Sequence, residues 1–178
     1  MGDSRSLLDE VAAILTGAEV PHALIGASAL AVHGISRSTL DIDLLVTDRR
    51  VLSRAFWIAL SPRALVEIRS GDADDPLAGV VRVSAEGERD VDVIVGRGTW
   101  MADIIGRAQP PVHGTGVRAA RADDLVLLKL FAGGSQDRWD IEQLLALPEH
   151  DAIVAAVDER IGQLPAPARQ LWQQLKGT

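Results

Sequence analysis

Two short segments of this chain, Asp41-Ile42-Asp43-Leu44-Leu45-Val46 and Asp90-Val91-Asp92-Val93-Ile94-Val95, open with paired aspartates and continue as aliphatic sequence. Successive side chains on a strand point to opposite faces, so alternation of this kind reads as β-structure with one buried face. In the first segment Ile42, Leu44 and Val46 share the apolar face. Asp41 and Asp43 share the other, with Cα atoms roughly 6.5–7 Å apart. In the second, Val91, Val93 and Val95 form the apolar face and Asp90 and Asp92 the opposite one. Both segments commit the chain to a sheet that buries one face and carries acids on the other.

The sequence around them supplies helices and further strands. Leu7, Leu8, Val11 and Leu15 repeat at helical spacing behind a cap at Ser4 or Ser6, with Asp9 as capping-box partner of Ser6, and Gly17 ends the run. A strand over 22–25 follows Pro21. Gly26-Ala27 turns the chain, and Ser28 is placed to cap a short helix that closes at Gly34. Leu40–Val46 is the next strand, and 49–60 reads as a helix stopped by Ser61-Pro62. Strands over 65–68, 80–84 and 90–95 come next, then a helix capped by Thr99 and running to about Arg107. From Ala122 the pattern is helical throughout: 123–132, 137–147, 151–164 and 168–176, broken at Gly133-Gly134, Pro148 and Pro165-Ala166-Pro167. The expected architecture is α+β, a mixed sheet flanked by helices in residues 1–108. A linker over 109–120 and a C-terminal helical bundle over 121–178 complete it.

At 178 residues the chain suits one domain, or a core domain with a small helical appendage. The absence of cysteine removes disulfides, thiolate metal sites and cysteine nucleophiles, and suits a reducing cytoplasm. No stretch approaches the ~20 apolar residues of a membrane span, and the N-terminus lacks a signal-peptide layout. A net charge of −7 argues against broad coating of nucleic acid. A local basic groove stays open, because the 18 basic residues are all arginine except Lys129 and Lys176.

Two ionised carboxylates side by side repel, and a divalent, oxygen-seeking ion such as Mg²⁺ relieves that repulsion while bringing substrate phosphates with it. If the strand of Asp92 lies beside that of Asp41 and Asp43, a three-carboxylate cluster results. Such a cluster suits two-metal phosphoryl transfer. Asp92 is deeper in its strand than Asp90 and is the better third ligand. The plain alternative is an acidic, solvated sheet face with no ligand. Gly26-Ala27-Ser28 stands between a strand and a helix, where small residues let a ligand approach the backbone and free N–H groups attract phosphate.

Strand, G-x-S, helix, then D-x-D on the next strand resembles the nucleotidyltransferase superfamily with the DNA polymerase β-type fold. Its pattern is carried here by Gly26-Ala27-Ser28, Asp41-Ile42-Asp43 and Asp92. Arg37-Ser38-Thr39-Leu40, leading into Asp41, resembles the R-x-T-x-D-x-D version of the AbiEii-like toxin group. Lys129, Ala132-Gly133 and Asp137 to Ile141 resemble that group's K-x-x-A-G-x-x-x-D-x-x-D-I segment, although Gly134, Ser135 and Gln136 stand where basic residues are common. The resemblance implies that Asp41 and Asp43 bind two Mg²⁺ (or Mn²⁺) ions and Asp92 the catalytic one. It implies that Gly26, Ala27 and Ser28 hold the triphosphate of an NTP, with Arg37, Lys129 and Asp137 as further nucleotide-binding residues. An acceptor hydroxyl, of a tRNA 3′ end, a protein or a small molecule, would then receive the NMP as pyrophosphate leaves. A toxin's role opposite an antitoxin protein belongs to the same implication. The alternative function is a catalytically silent nucleotide- or partner-binding module on the same fold. Lys129 also reads as a lysine snorkelling from a buried helix, and Asp137 as a helix cap.

Overall fold

The computed structural model describes residues 5–38, 41–60, 63–111 and 116–177. The chain divides into two compact units, one formed by residues up to 32 together with 36–120, the other by 33–35 and 121 onward.

In the first unit, helix α1 (Leu7–Gly17) starts at a reciprocal capping box: Ser6 accepts the Asp9 N–H while Asp9 accepts the Ser6 N–H. Its apolar stripe, Leu7, Leu8, Val11 and Leu15, is buried as the helical spacing requires. Strand β1 (His22–Ile25) runs straight into α2 (Gly26–Val32), and β2 (Asp41–Val46) follows. Then come β3 (Leu65–Ser70), β4 (Leu77–Ser84), β5 (Asp90–Gly96) and α3 (Thr99–Arg107). The sheet order is β1-β2-β5-β4-β3, with β2 and β5 parallel and every other pair antiparallel. This is the expected mixed sheet flanked by helices. Ile42, Leu44 and Val46 are buried with Val91, Val93 and Val95 and with Val81 and Val83 of β4. Beyond β1, Leu24 accepts from Ala120 and donates to Arg118, and Gln109 and Ala119 exchange both backbone bonds, so residues 109 and 118–120 belong with the sheet.

Four local expectations change. Residues 49–60 form two 3₁₀ turns, Arg49–Leu52 and Arg54–Leu60, and not one α-helix. Extended Ser53 separates them, and the buried Trp57 donates its indole N–H to the Val51 carbonyl at 2.7 Å, which holds the tight turns over the core. Ser61-Pro62, the expected stop, lies outside the described residues, as do Ser4 and the Thr39-Leu40 part of the arginine-led motif. Thr99 is the first helical residue, with Gly98 at φ +82° in the capping position and no side-chain cap. Ser28 lies within the first turn of α2 and not before it. The strands 65–70, 77–84 and 90–96 each extend beyond their expected limits.

The second unit is helical: α4 (Ala122–Ala132), α5 (Ser135–Leu145), α6 (His150–Arg160), a 3₁₀ turn at Ile161–Gln163, and α7 (Ala166–Leu175). Gly133 ends α4 in the left-handed conformation (φ +70°). α6 is shorter than expected because the 3₁₀ turn redirects the chain. α7 starts earlier, since prolines are tolerated in a first helical turn. Asp123 and Asp124, in the first turn of α4, are buried and share the guanidinium of Arg160 at 2.7 and 3.1 Å. No helix among the described residues is long and apolar enough to cross a membrane.

Trp172 is fully buried and donates its indole N–H to Asp158 Oδ1 at 2.7 Å; Lys176 pairs with the same carboxylate. The Trp172 bond, then Lys176, hold the Asp158 carboxyl below the usual carboxylate range. A lowered folded-state value means that the stabilisation is complete above the ordinary carboxylate range and fades as pH falls through the folded value. Asp158→Ala is expected to cost about 1 kcal/mol at pH 7, mainly from the unsatisfied indole N–H. The difference should shrink in strong acid, as read from urea unfolding at both pH values.

Candidate active site

The polar face of the sheet is assembled by register. Parallel pairing sets Asp41 beside Asp90 and Asp43 beside Asp92, and antiparallel pairing sets Asp92 beside Arg82 of β4. Asp43 is also paired with Ile25, the last residue of β1, so the turn at Gly26 stands next to it. A row therefore crosses the sheet from Ile25 through Asp43, Asp92 and Arg82 to Glu67 of β3.

Gly26 is required at this point for two reasons. Its φ is +62°, and a Cβ there would stand 2.0 Å from Asp43 Oδ2. The carboxylate of the D-x-D strand thus lies against the bare Cα of the turn. Gly26→Ala is expected to lose about 1–3 kcal/mol from left-handed strain alone and to push Asp43 out of place. Gly34 is the control: its φ is +80° but nothing lies within 4 Å of its Cβ position. Gly34→Ala should therefore carry the strain without the clash, and thermal unfolding of the two variants separates these effects.

Two cations that the sequence reading passed over enter the site. Arg82 donates Nε to Asp92 Oδ1 (2.8 Å) and Nη2 to Asp92 Oδ2 (2.6 Å) and Asp41 Oδ2 (3.2 Å). The Asp92 hydrogen bonds and charge raise the Arg82 guanidinium further above its ordinary value. Arg89 donates Nη2 to Ser28 Oγ (3.2 Å) and to the Asp41 backbone carbonyl (2.9 Å), tying the helix turn to β2. The alternation Val81-Arg82-Val83 could have flagged Arg82, since it leaves the arginine alone on the polar face. Arg89, in a turn before β5, had no such signal.

Among the other expected residues, Ala27 is buried beside Gly26, and Arg37 is half-buried in the segment before β2. Lys129 and Asp137 lie in the helical unit and form their own cluster. Lys129 Nζ is 2.8 Å from Asp137 and 2.7 Å from the fully buried Asp140, while Asp137 also accepts the Gly134 N–H at 3.0 Å. Asp137 thus acts both as a helix cap and as an ion-pair partner.

Asp41, Asp43 and Asp92 lie on one face, Asp92 on the strand beside the other two and Asp43 in the space a Cβ at Gly26 would fill, and their carboxylates suit a hard divalent cation in donor type. As they stand, among the described residues no three His, Asp or Glu side chains are gathered tightly enough to hold a metal ion. The cation that Asp41 and Asp92 share is Arg82.

A mixed sheet with a glycine turn leaving its edge strand, a D-x-D on the next strand and a further aspartate beside it is the arrangement that the resemblance to the nucleotidyltransferase fold implies. Among solved structures the chain is similar to ANT(2'')-Ia in complex with adenylyl-2''-tobramycin. The match has 12% identity and a TM-score of 0.56, and covers 88% of this chain and 96% of that one. It is also similar to JHP933 from Helicobacter pylori, at 15% identity over 94% of this chain and 90% of that one, with a TM-score of 0.48. No family model and no curated protein matches the chain.

Proposed function

We propose that this chain is a metal-dependent nucleotidyltransferase that moves an NMP from an NTP to an acceptor hydroxyl. The observation that carries this reading is the set Asp41, Asp43 and Asp92 on one sheet face, against the Gly26 turn, on a nucleotidyltransferase fold. Asp41, Asp43 and Asp92 would hold Mg²⁺ or Mn²⁺, which supplies charge neutralisation at the phosphates and makes the acceptor hydroxyl more acidic. The acceptor oxygen would bond to the α-phosphorus as the bond to pyrophosphate breaks, and Asp92, once released by Arg82, would take the hydroxyl proton. Gly26, Ala27 and Ser28 bind the β- and γ-phosphates at the start of α2, with Arg89 adding charge beside Ser28. For Arg37, Lys129 and Asp137 the nucleotide-binding role rests on the family resemblance alone, and nucleotide affinity of Arg37→Gln and Lys129→Gln tests it.

The deciding experiment is thermal shift with each of the four NTPs plus Mg²⁺, followed by transfer of labelled nucleotide to tRNA, protein and small hydroxyl compounds. A nucleotide-dependent stabilisation that Asp41→Ala abolishes supports the site; no response to any NTP removes it. The AbiEii-like motifs support the finer reading of a toxin opposed by an antitoxin protein. Its test is growth arrest on expression that Asp43→Asn relieves. A second reading, a silent nucleotide- or partner-binding module, is favoured by Arg82 standing on Asp41 and Asp92. That module would bind NTP and transfer nothing.

A further inference from the structure

We infer that Arg82 is a built-in competitor of the metal: its guanidinium closes the carboxylate site and must leave Asp92 and Asp41 before a divalent cation is held. The inference rests on the metal-dependent reading and adds its regulation. Asp92 is placed opposite Arg82 by strand register, so the pairing is fixed by the sheet and not by a loose side-chain encounter. Both oxygens of Asp92 accept from the planar fork, and Asp41, on a strand not adjacent to β4, accepts from the same Nη2. A bidentate guanidinium–carboxylate pair is among the stronger charge-assisted arrangements. A divalent ion at Asp92 would use the lone pairs that Arg82 now uses, and the two cations repel at that distance.

The two partners differ in freedom. Asp92 has only 14% of its side chain exposed, whereas Arg82 has 41%, so the arginine can swing into solvent while the carboxylate stays. In the closed state Arg82 offsets the repulsion among acids that strand register forces together. In the open state the metal takes over that function. The same arginine therefore stabilises the metal-free protein and weakens its affinity for metal.

The test uses the full chain and Mn²⁺ alone, followed by electron paramagnetic resonance and calorimetry. Arg82→Gln is expected to bind Mn²⁺ roughly tenfold or more tightly than wild type, the size of one lost charge-assisted pair. Its metal-free form should melt at a lower temperature, and Asp92→Asn added to Arg82→Gln should remove the gain in affinity. A folded Arg82→Gln protein with wild-type or weaker Mn²⁺ affinity overturns the inference and leaves the metal-dependent reading standing. If neither protein binds Mn²⁺, with or without NTP, that reading falls and takes the inference with it. Should Arg82→Gln fail to fold, the wild-type arginine Nε–H resonance decides, assigned by its loss in Arg82→Lys. It should move as Mg²⁺ is added, and an unmoved signal at Mg²⁺ saturation overturns the inference.

Discussion

On the metal-dependent reading proposed above, Asp43→Asn should lower nucleotide transfer on the order of a thousandfold, the several kcal/mol expected when a charged metal ligand is lost. Asparagine keeps the shape of aspartate, so the contact with the Gly26 backbone survives and the strand should stay in register. The side chain loses its charge and so most of its affinity for a hard cation. Unfolding temperature should change little, or rise, because one member of a crowded acidic face becomes neutral. The measurement is single-turnover transfer of labelled nucleotide beside thermal unfolding of the same preparation. A variant that keeps wild-type transfer would show that Asp43 is an ordinary strand residue. One that loses transfer only because it has unfolded would place its role in the fold.

Arg160→Met is expected to cost about 3–5 kcal/mol, the penalty for taking one cation out of a buried ionic cluster, with the more exposed Arg121 remaining 3.3 Å from Asp123. Asp123 and Asp124 are 4% and 0% exposed, and Arg160 is the guanidinium they share. Their place in the first turn of α4 gives both acids the favourable end of the helix dipole, a smaller effect of about 0.3–1 kcal/mol that does not replace the lost cation. Replacing Asp123 and Asp124 by leucine in the Arg160→Met background should recover much of the loss, because well-packed apolar side chains can substitute for a buried ionic cluster. Urea unfolding monitored by circular dichroism checks both statements. Nucleotide transfer by any folded fraction is a separate readout.

Local patterns made a large part of this molecule legible. The alternation in β2 and β5 fixed which side chains face the core, and Ser6 with Asp9 marked the start of α1. Gly26 marked the turn that a side chain would block. What the patterns could not supply was the neighbour of each strand. Arg82 looks like a solvated residue until β4 is placed beside β5 in a register that sets it against Asp92. Arg89 reaches Ser28 across a gap of 61 residues, which no local spacing encodes. The segment 49–60 has helical composition, yet the contact between Trp57 and the Val51 carbonyl selects tighter turns. The D-x-x-D spacing of Asp137 and Asp140 allows one acid to cap and the other to pair with Lys129 or Arg138, whereas Lys129 pairs with both, one of them fully buried.

The parallel pairing of β2 with β5 also dictates when the acidic face can come into being. Asp41 meets Asp90, and Asp43 meets Asp92, each across 49 positions of chain. Contacts this remote are entropically costly to close and form slowly relative to local helices and hairpins. The β4–β5 and β3–β4 ladders are antiparallel neighbours in sequence and can assemble first, with Arg82 already opposite Asp92 when β2 docks. On refolding, ligand binding should therefore recover with the slowest sheet-forming phase and lag behind the return of helical signal. A nascent chain that has not yet reached residue 90 carries the D-x-D pair with neither its third acid nor the strand that holds it in place.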